Sequence, residues 1–268
     1  MASIHCETSD GVTIVTLAND GKRNAITAEM WRQLPPLLSA LGSDHAVRML
    51  VLRGAGTDFS AGVDISEVEQ VMFGKDRAGG ALLTEAEDAL AEFPKPTLAA
   101  IDGYCVGGGW ELAAACDIRV ASTRALFGVT PARLGILYPL SGLRRLVQIT
   151  GPGPARHLLL TGELVDADTA ARWGMITRVI DTDNFWTEIA ALTAAITSRS
   201  LLSQAASSEL IDLISADDPT LQDRAAHWDS IAAHSDESRI GIDAFFVRTP
   251  PHFTWTIETG NPRRPTSS

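Results

Sequence analysis

The sequence predicts an α/β fold, and three observations carry it: one alternating strand pattern, two continuously apolar strands, and amphipathic helical stretches set between and after them. Residues 12–17, Val-Thr-Ile-Val-Thr-Leu, alternate with the period of a half-buried strand. Residues 28–41 place Met30, Leu34, Leu37, Leu38 and Leu41 on one helical stripe. Pro35 and Pro36 fall inside that stripe and predict a break or kink, because proline removes a backbone donor. Residues 49–52 and 97–101 are unbroken apolar runs of strand length, the pattern of strands buried on both faces. Helices are predicted at 143–149, 154–160, 167–173 and 184–197, with a short strand at 177–180. Residues 201–216 and 221–233 have helical spacing with acidic outer faces, and the tail from Gly260 has little to bury and is expected to be mobile. Alternation of strands and helices is equally compatible with a doubly wound sheet.

Composition excludes several classes of function. A chain of 268 residues with 45% hydrophobic content can hold one large core, or one core and a smaller appended unit. The apolar runs are too short to span a bilayer, and the first residues turn acidic and polar at once, so neither a membrane span nor a signal peptide is expected. Cys6, Cys105 and Cys116 are odd in number and lack metal-like spacing, which fits a reducing cytoplasm and argues against a disulfide framework or a metal centre. A net charge of −11 argues against nucleic acid as a partner but says little about small anionic ligands.

Two glycine turns carry the chemistry. Residues 101–117 end a strand, pass through Gly107, Gly108 and Gly109, and open an apolar helix bearing one carboxylate, Glu111. The first N–H groups of such a helix have no intrahelical acceptor and suit a developing oxyanion, with the helix dipole adding to the effect. A tight turn packed against a sheet has the same sequence signature. Residues 50–65 form the second feature: a buried strand, a loop, and Ser60-Ala61-Gly62-Val63-Asp64-Ile65.

Together the two turns resemble those of the crotonase superfamily, also called the enoyl-CoA hydratase/isomerase family. The likeness continues through residues 22–26, 93–101, 160–174 and 241–253, and so covers nearly the whole chain. It implies a crotonase-like spiral of ββα units over residues 1–198, and a C-terminal helical region over 199–268 that packs in a homotrimer or a dimer of trimers. It implies an acyl-CoA substrate, with coenzyme A arriving as part of that substrate and no separate cofactor or metal. The oxyanion hole would be the backbone N–H groups of Val63 and Gly108. Coenzyme A contacts would come from Lys22, Arg23 and Ala25, from Ala61, Asp64 and Ile65, and from Arg248 near the C-terminal end. Asp64, just after the first donor, also reads as a helix cap.

The reaction is where the chain departs from the family. Hydratases of the family carry two glutamates that divide acid and base work. Glu111 matches the first, whereas Pro131 stands at the place of the second. Residues 130–142, with Thr130-Pro131-Ala132, Tyr138 and Ser141-Gly142, resemble the corresponding stretch of methylmalonyl-CoA decarboxylase, although that enzyme has histidine where this chain has Val63. That likeness makes Glu111 and Tyr138 the candidate catalytic side chains. The reading leans towards a lyase step such as decarboxylation of a 2-carboxyacyl-CoA, which needs no general base. The alternatives are an enoyl-CoA hydratase or isomerase using Glu111, or a non-catalytic CoA-binding scaffold. Tyr138 is equally an ordinary aromatic of a pocket wall. Trp110 reads as packing that narrows the acyl pocket, and Cys105 lacks a nearby histidine to activate it. Arg144 and Arg145 read as surface charges or interface partners, His157, His227 and His234 as helix residues without ligand spacing, and the glycine-rich stretch 71–80 as a wall that sets acyl specificity.

Overall fold

The computed structural model describes residues 1–73 and 81–257. The chain begins with β1 (Ser3–Ser9) and β2 (Val12–Ala18), then α1 (Ala28–Ser43), β3 (Met49–Gly54), α2 (Val68–Phe73) and α3 (Ala81–Ala91). Next come β4 (Thr97–Ile101), β5 (Tyr104–Val106), α4 (Gly108–Ala115), β6 (Ile118–Ser122), β7 (Leu126–Gly128), α5 (Pro131–Leu134), α6 (Leu140–Thr150) and α7 (Pro152–Thr161). The chain continues with β8 (Leu164–Asp166), α8 (Ala167–Arg172), β9 (Arg178–Ile180) and four helices, α9 (Phe185–Thr197), α10 (Leu201–Ser215), α11 (Leu221–Ala233) and α12 (Glu237–Val247). None of the described helices is long and apolar enough to cross a membrane.

From β4 to β7, successive strands go to alternate sheets. The larger sheet runs β1-β2-β3-β4-β6-β9, and the smaller runs β5-β7-β8. From β2 to β9 the larger sheet is parallel, with β1 added antiparallel at its edge. Thus β4 and β5, one strand in each sheet, precede α4, and β6 and β7 repeat the pattern before α5 and α6. This is the predicted spiral of ββα units. The doubly wound alternative is excluded, because strand order in the larger sheet never reverses and offers no topological switch point.

The apolar runs of β3 and β4 follow from burial on both faces. Leu50, Leu52, Ala99 and Ile101 join a core shared with α1, α3 and α4, while Met49, Val51, Leu98 and Ala100 face a second core with Phe185 and Ile189 of α9. Further on, Leu202, Ala205 and Trp228 form a third, smaller cluster among α10 and α11. Buried Glu209 accepts from Arg224 and from the Trp228 indole N–H at 2.9 Å, and buried Glu237 accepts from Ser200 and from the backbone of Thr254 and Trp255. Arg48 ties this region to the core through the carbonyls of Thr197 and Arg199.

One expectation fails instructively. Residues Pro35 and Pro36 do not end α1, which runs through both to Ser43. Thr27 caps its start by accepting from the Met30 N–H, and Trp31, Leu34 and Leu38 bury the face that packs on α3. At its other end, the buried Lys95 ammonium donates to the carbonyls of Leu41 and Asp44, at 3.2 and 2.6 Å. Burial pushes the Lys95 pKa down to about 8, and Asp44 opposes that shift. Tertiary packing and side-chain caps at both ends therefore outweigh the two lost helix bonds. Elements that sequence periodicity did not predict, β1 and α3 among them, are edge or partly polar segments with weak patterns. The glycine-rich residues 74–80 and the tail from residue 258 lie outside the described residues.

Trp31 is wholly buried beneath Gly108, at the junction of α1 and the glycine turn that opens α4. Trp31→Ala is expected to cost about 3–5 kcal/mol of unfolding free energy. Denaturant titration followed by circular dichroism checks this.

Candidate active site

The two glycine turns meet through backbone pairing. Ser60 bridges to β5, accepting from the Val106 N–H at 3.0 Å and donating to the Tyr104 carbonyl at 2.8 Å. Ile26 bridges to the far side of the same turn, donating to the Gly62 carbonyl and accepting from the Asp64 N–H. Because Ile26 bonds to residues 62 and 64, the N–H of Val63 between them points away from Ile26. Only glycine fits at position 62: its φ is +94°, and a Cβ there would stand 2.7 Å from the Val106 oxygen and 3.0 Å from the Gly108 nitrogen. Gly108 is the first residue of α4, so its N–H has no acceptor within the helix. Val63 and Gly108, from separate segments, thus line one space.

That space is a cavity of ≈ 90 Å³. Val63, Gly107 and Gly108 form one side, with Ile65, Val68, Met72 and Leu83 from the chain before β4 and Leu134, Ile136 and Leu137 around α5. Glu111, Thr130 and Tyr138 are its polar lining residues, and no cationic side chain lines it among the described residues. Pro131 also lines it, so the site has an apolar ring where hydratases of the family place their second glutamate. Met72 is the part of stretch 71–80 found in the wall; residues 74–80 are outside the described set.

Glu111 sits in the first turn of α4, which is buried along its whole length. Both carboxyl oxygens and the Tyr138 hydroxyl are buried without a hydrogen-bond partner. Burial, reinforced by the charge of Glu87, pushes the Glu111 pKa up to about 8; Tyr138 and Arg145 oppose the shift more weakly. The hydroxyl of Tyr138 faces that carboxyl closely enough to favour its charged form, though the two make no hydrogen bond of regular geometry. Burial also raises the Tyr138 pKa well above the usual phenol range. An unpaired buried carboxyl is costly, and its retention at a cavity wall marks a functional group.

Behind Glu111 lies a feature missing from the sequence reading. Glu87 of α3 is fully buried and pairs with Arg145 of α6, which is only 20% exposed; of the two sequence readings of Arg145, surface charge or interface partner, the first does not hold. Asp88 reaches the same guanidinium at 3.9 Å. A sequence signal for Glu87 exists: with Leu83, Ala86 and Leu90 it occupies the buried stripe of α3, where a carboxylate is out of place.

The expected CoA residues are distributed unevenly. Ala61 and Ile65 line the cavity, Ala25 is buried in the adjacent turn, and Lys22 and Arg23 lie half-exposed beside it. Lys22 is paired with Asp64 at 2.7 Å, and Arg23 stacks over the Tyr104 ring at 3.9 Å. The Asp64 carboxylate is committed to structure, as the cap reading expects: it accepts from the Ser66 N–H and opens the short 3₁₀ turn at Ile65–Glu67. Burial pushes its pKa up, but hydrogen bonds from Lys22 and Ser66 win and hold it at about 2. Arg248 caps α12 and does not line the cavity.

Other candidates fall away. Trp110 is packed edge-on against Phe127 and does not line the cavity, so it does not narrow the pocket directly. Burial raises the Cys105 pKa far above the thiol range, which makes its thiolate inaccessible. His157 contacts Glu163 and Trp173, while His227 and His234 line a wider hollow of ≈ 550 Å³ among the C-terminal helices, remote from the glycine turns.

Comparison with known proteins agrees with this geometry. A model of the enoyl-CoA hydratase/isomerase family matches residues 7–256. The chain belongs to that family. It is 31% identical over 255 residues to a probable enoyl-CoA hydratase of Mycobacterium tuberculosis, covering 94% of this chain and 98% of the relative. A crotonyl-CoA hydratase of Syntrophomonas wolfei is 31% identical over 201 residues, covering 75% and 77%. A solved structure of an enoyl-CoA hydratase/isomerase family member superposes with a TM-score of 0.91 at 37% identity, covering 96% of this chain and 98% of that one. This family member is accordingly an enzyme acting on acyl-CoA. The names these curated relatives carry are those of hydratases, with a dienoyl-CoA isomerase of Dictyostelium discoideum beside them, which favours the hydratase alternative and lends no support to the lean towards decarboxylation.

The family member should show the cost of its buried acid. Folding raises the Glu111 pKa from 4.5 to about 8, so the folded state keeps a proton that the unfolded chain releases over that interval. This contribution to stability is complete below the unfolded value and is lost as pH rises through the folded one. Glu111→Gln is expected to remove that pH dependence and to exceed the parent's stability above the folded pKa by on the order of a few kcal/mol. Denaturant titrations of both proteins at about pH 5 and about pH 9 measure it.

Proposed function

We propose that the protein is an enoyl-CoA hydratase for a short, uncharged 2-enoyl-CoA. One observation carries this reading: the partnerless Glu111 carboxyl lies in one apolar cavity with the two glycine turns. The thioester oxygen would accept from the N–H groups of Val63 and Gly108, each worth roughly 3 kcal/mol of barrier once that oxygen carries charge. Ionised Glu111 takes a proton from a water molecule, and the resulting hydroxide oxygen bonds to the β-carbon. The C=C electrons move to the α-carbon and thioester oxygen, giving an enolate held by the two donors. Glu111 then returns its proton to the α-carbon. One carboxyl thereby serves as base and acid in turn, which suits a site with Pro131 in place of a second glutamate. Tyr138 orients Glu111 as its neighbour.

The lining opposes the decarboxylase reading. A 2-carboxyacyl group would bring its own anion beside Glu111 and Glu87 into a cavity that no cationic side chain lines among the described residues. Isomerisation of a 3-enoyl-CoA is the second reading, favoured by the solitary carboxyl, since one base can carry a proton from the α- to the γ-carbon. For coenzyme A phosphates, Lys22 and Arg23 are the proposed contacts, with backbone groups of Ala25, Ala61, Asp64 and Ile65 alongside; Lys22 would have to exchange Asp64 for phosphate. Arg248 remains a proposed contact, contributed from the C-terminal region. Exposed Ile211 and Ile214 on α10, and Phe245, Phe246 and Val247 on α12, support association of copies through these helices.

Mass spectrometry after incubation with crotonyl-CoA, a 3-enoyl-CoA and methylmalonyl-CoA tests the proposal. The expected result is gain of water on the first. Loss of CO₂ from the last would overturn it, and conversion of the 3-enoyl substrate alone would favour isomerisation. Glu111→Gln is expected to lower hydration by at least about 10²-fold. Near-parental hydration by that variant would remove Glu111 from the mechanism.

A further inference from the structure

Three helices converge behind the Glu111 carboxyl. Helix α4 carries Glu111, α3 carries Glu87, and α6 carries Gly142 and Arg145. Gly142 is the point of closest approach: a Cβ there would stand 2.8 Å from Glu111 Oε1 and 3.0 Å from the Tyr138 ring. One turn further along α6, Arg145 bonds Glu87 Oε1, while Thr84 of α3 and Ser141 of α6 join hydroxyls at 3.1 Å on the same seam. The second oxygen of Glu87 is buried and unpartnered, as are both oxygens of Glu111 and the Tyr138 hydroxyl. Two buried carboxyls thus share one polar cluster, but only one of them owns a cation.

We propose that Glu87 and Arg145 act as a positioning pair, fixing the Glu111 carboxyl against the cavity and governing when it is charged. This rests on the reading of Glu111 as the proton carrier of the hydration. Two neighbouring carboxyls in a poorly solvated site do not both ionise easily, and the one beside a guanidinium takes the negative charge. Burial raises the proton affinity of Glu87 as well, but Arg145 opposes it, so the charge settles first on Glu87 and Glu111 becomes the ionised base only as pH rises towards about 8. The charge of Glu87 raises the proton affinity of Glu111, and that of Arg145 partly offsets it. The groups facing this cluster are Glu87 and Asp88 on α3, Tyr138 ahead of α6, Arg145 on α6, and the Cys105 thiol of β5 beside Tyr138. Glu87 does not line the cavity, so it acts through Glu111 and not on substrate.

Charge and structure predict different orders among variants. Glu87→Gln keeps the shape, removes the negative charge and leaves Arg145 uncompensated. The Glu111 titration midpoint is expected to fall by about one pH unit or more. The double variant Glu87→Gln/Arg145→Met removes both charges and is expected to return the midpoint towards the parent's value, although it alters more of the packing. Arg145→Lys retains both charges and is expected to leave the midpoint in place, which decides the matter should Glu87→Gln not fold. Two readouts are used on the full-length protein: the carboxyl infrared band lost in Glu111→Gln, followed against pH without substrate, and the pH profile of kcat/KM on crotonyl-CoA. An unmoved midpoint in Glu87→Gln, a double variant displaced further than the single one, or a displaced midpoint in Arg145→Lys would overturn the proposal. Infrared shifts in the expected order without turnover of any enoyl-CoA would uphold the pair and overturn the hydratase reading.

Discussion

The close approach of two backbone turns is the constraint on which the site depends. Residues 60–63 are held between Ile26 on one side and β5 on the other, with no room for a side chain at position 62. That contact joins a segment leaving β3 to the start of α4. The Val63 N–H comes from the loop after β3 and the Gly108 N–H from the start of α4, so a site that uses both depends on this contact. The spiral topology makes the meeting possible. Strands β4 and β5 enter different sheets, so the turn after β5 lies beside the loop after β3 instead of at the far end of one sheet.

Around that contact the molecule accepts an electrostatic cost. Helix α4 is buried throughout, yet it carries a carboxyl with no hydrogen-bond partner. Surrounding cores absorb the cost: the strands of the larger sheet are packed on both faces, and α1 is fastened at both ends despite two internal prolines. A strained or destabilising group at an active site is commonly held by structure that is over-determined elsewhere. Here the over-determined part is the sheet and the three helices packed behind Glu111.

Much of this was legible in the chain because the physics was local. Strand periodicity located β2, β3 and β4, and helical spacing located α6 to α11 within a few residues. Glycine marked the turns because residues 62 and 107 take a positive φ and because a Cβ at 108 or 109 would meet Trp31 or Ser60, and Pro131 showed that a second carboxylate was missing from its familial place. The prolines of α1 misled because a local rule about donors was outweighed by burial of Trp31, Leu34 and Leu38. Arg145 misled for a related reason: no local pattern marks its partner, since Glu87 lies 58 residues away.

By itself, then, the sequence determined the family, the fold class, the two turns and the presence of one buried acid, since each leaves a signature within a short stretch of chain. Only the tertiary structure decided what that acid faces. It placed Glu111 without a partner in a small apolar cavity, set Tyr138 beside it, and gave the nearby cation to Glu87. Proton affinity is a property of all charges and solvent around a group, and these come from α3, α4 and α6, which no local pattern brings together.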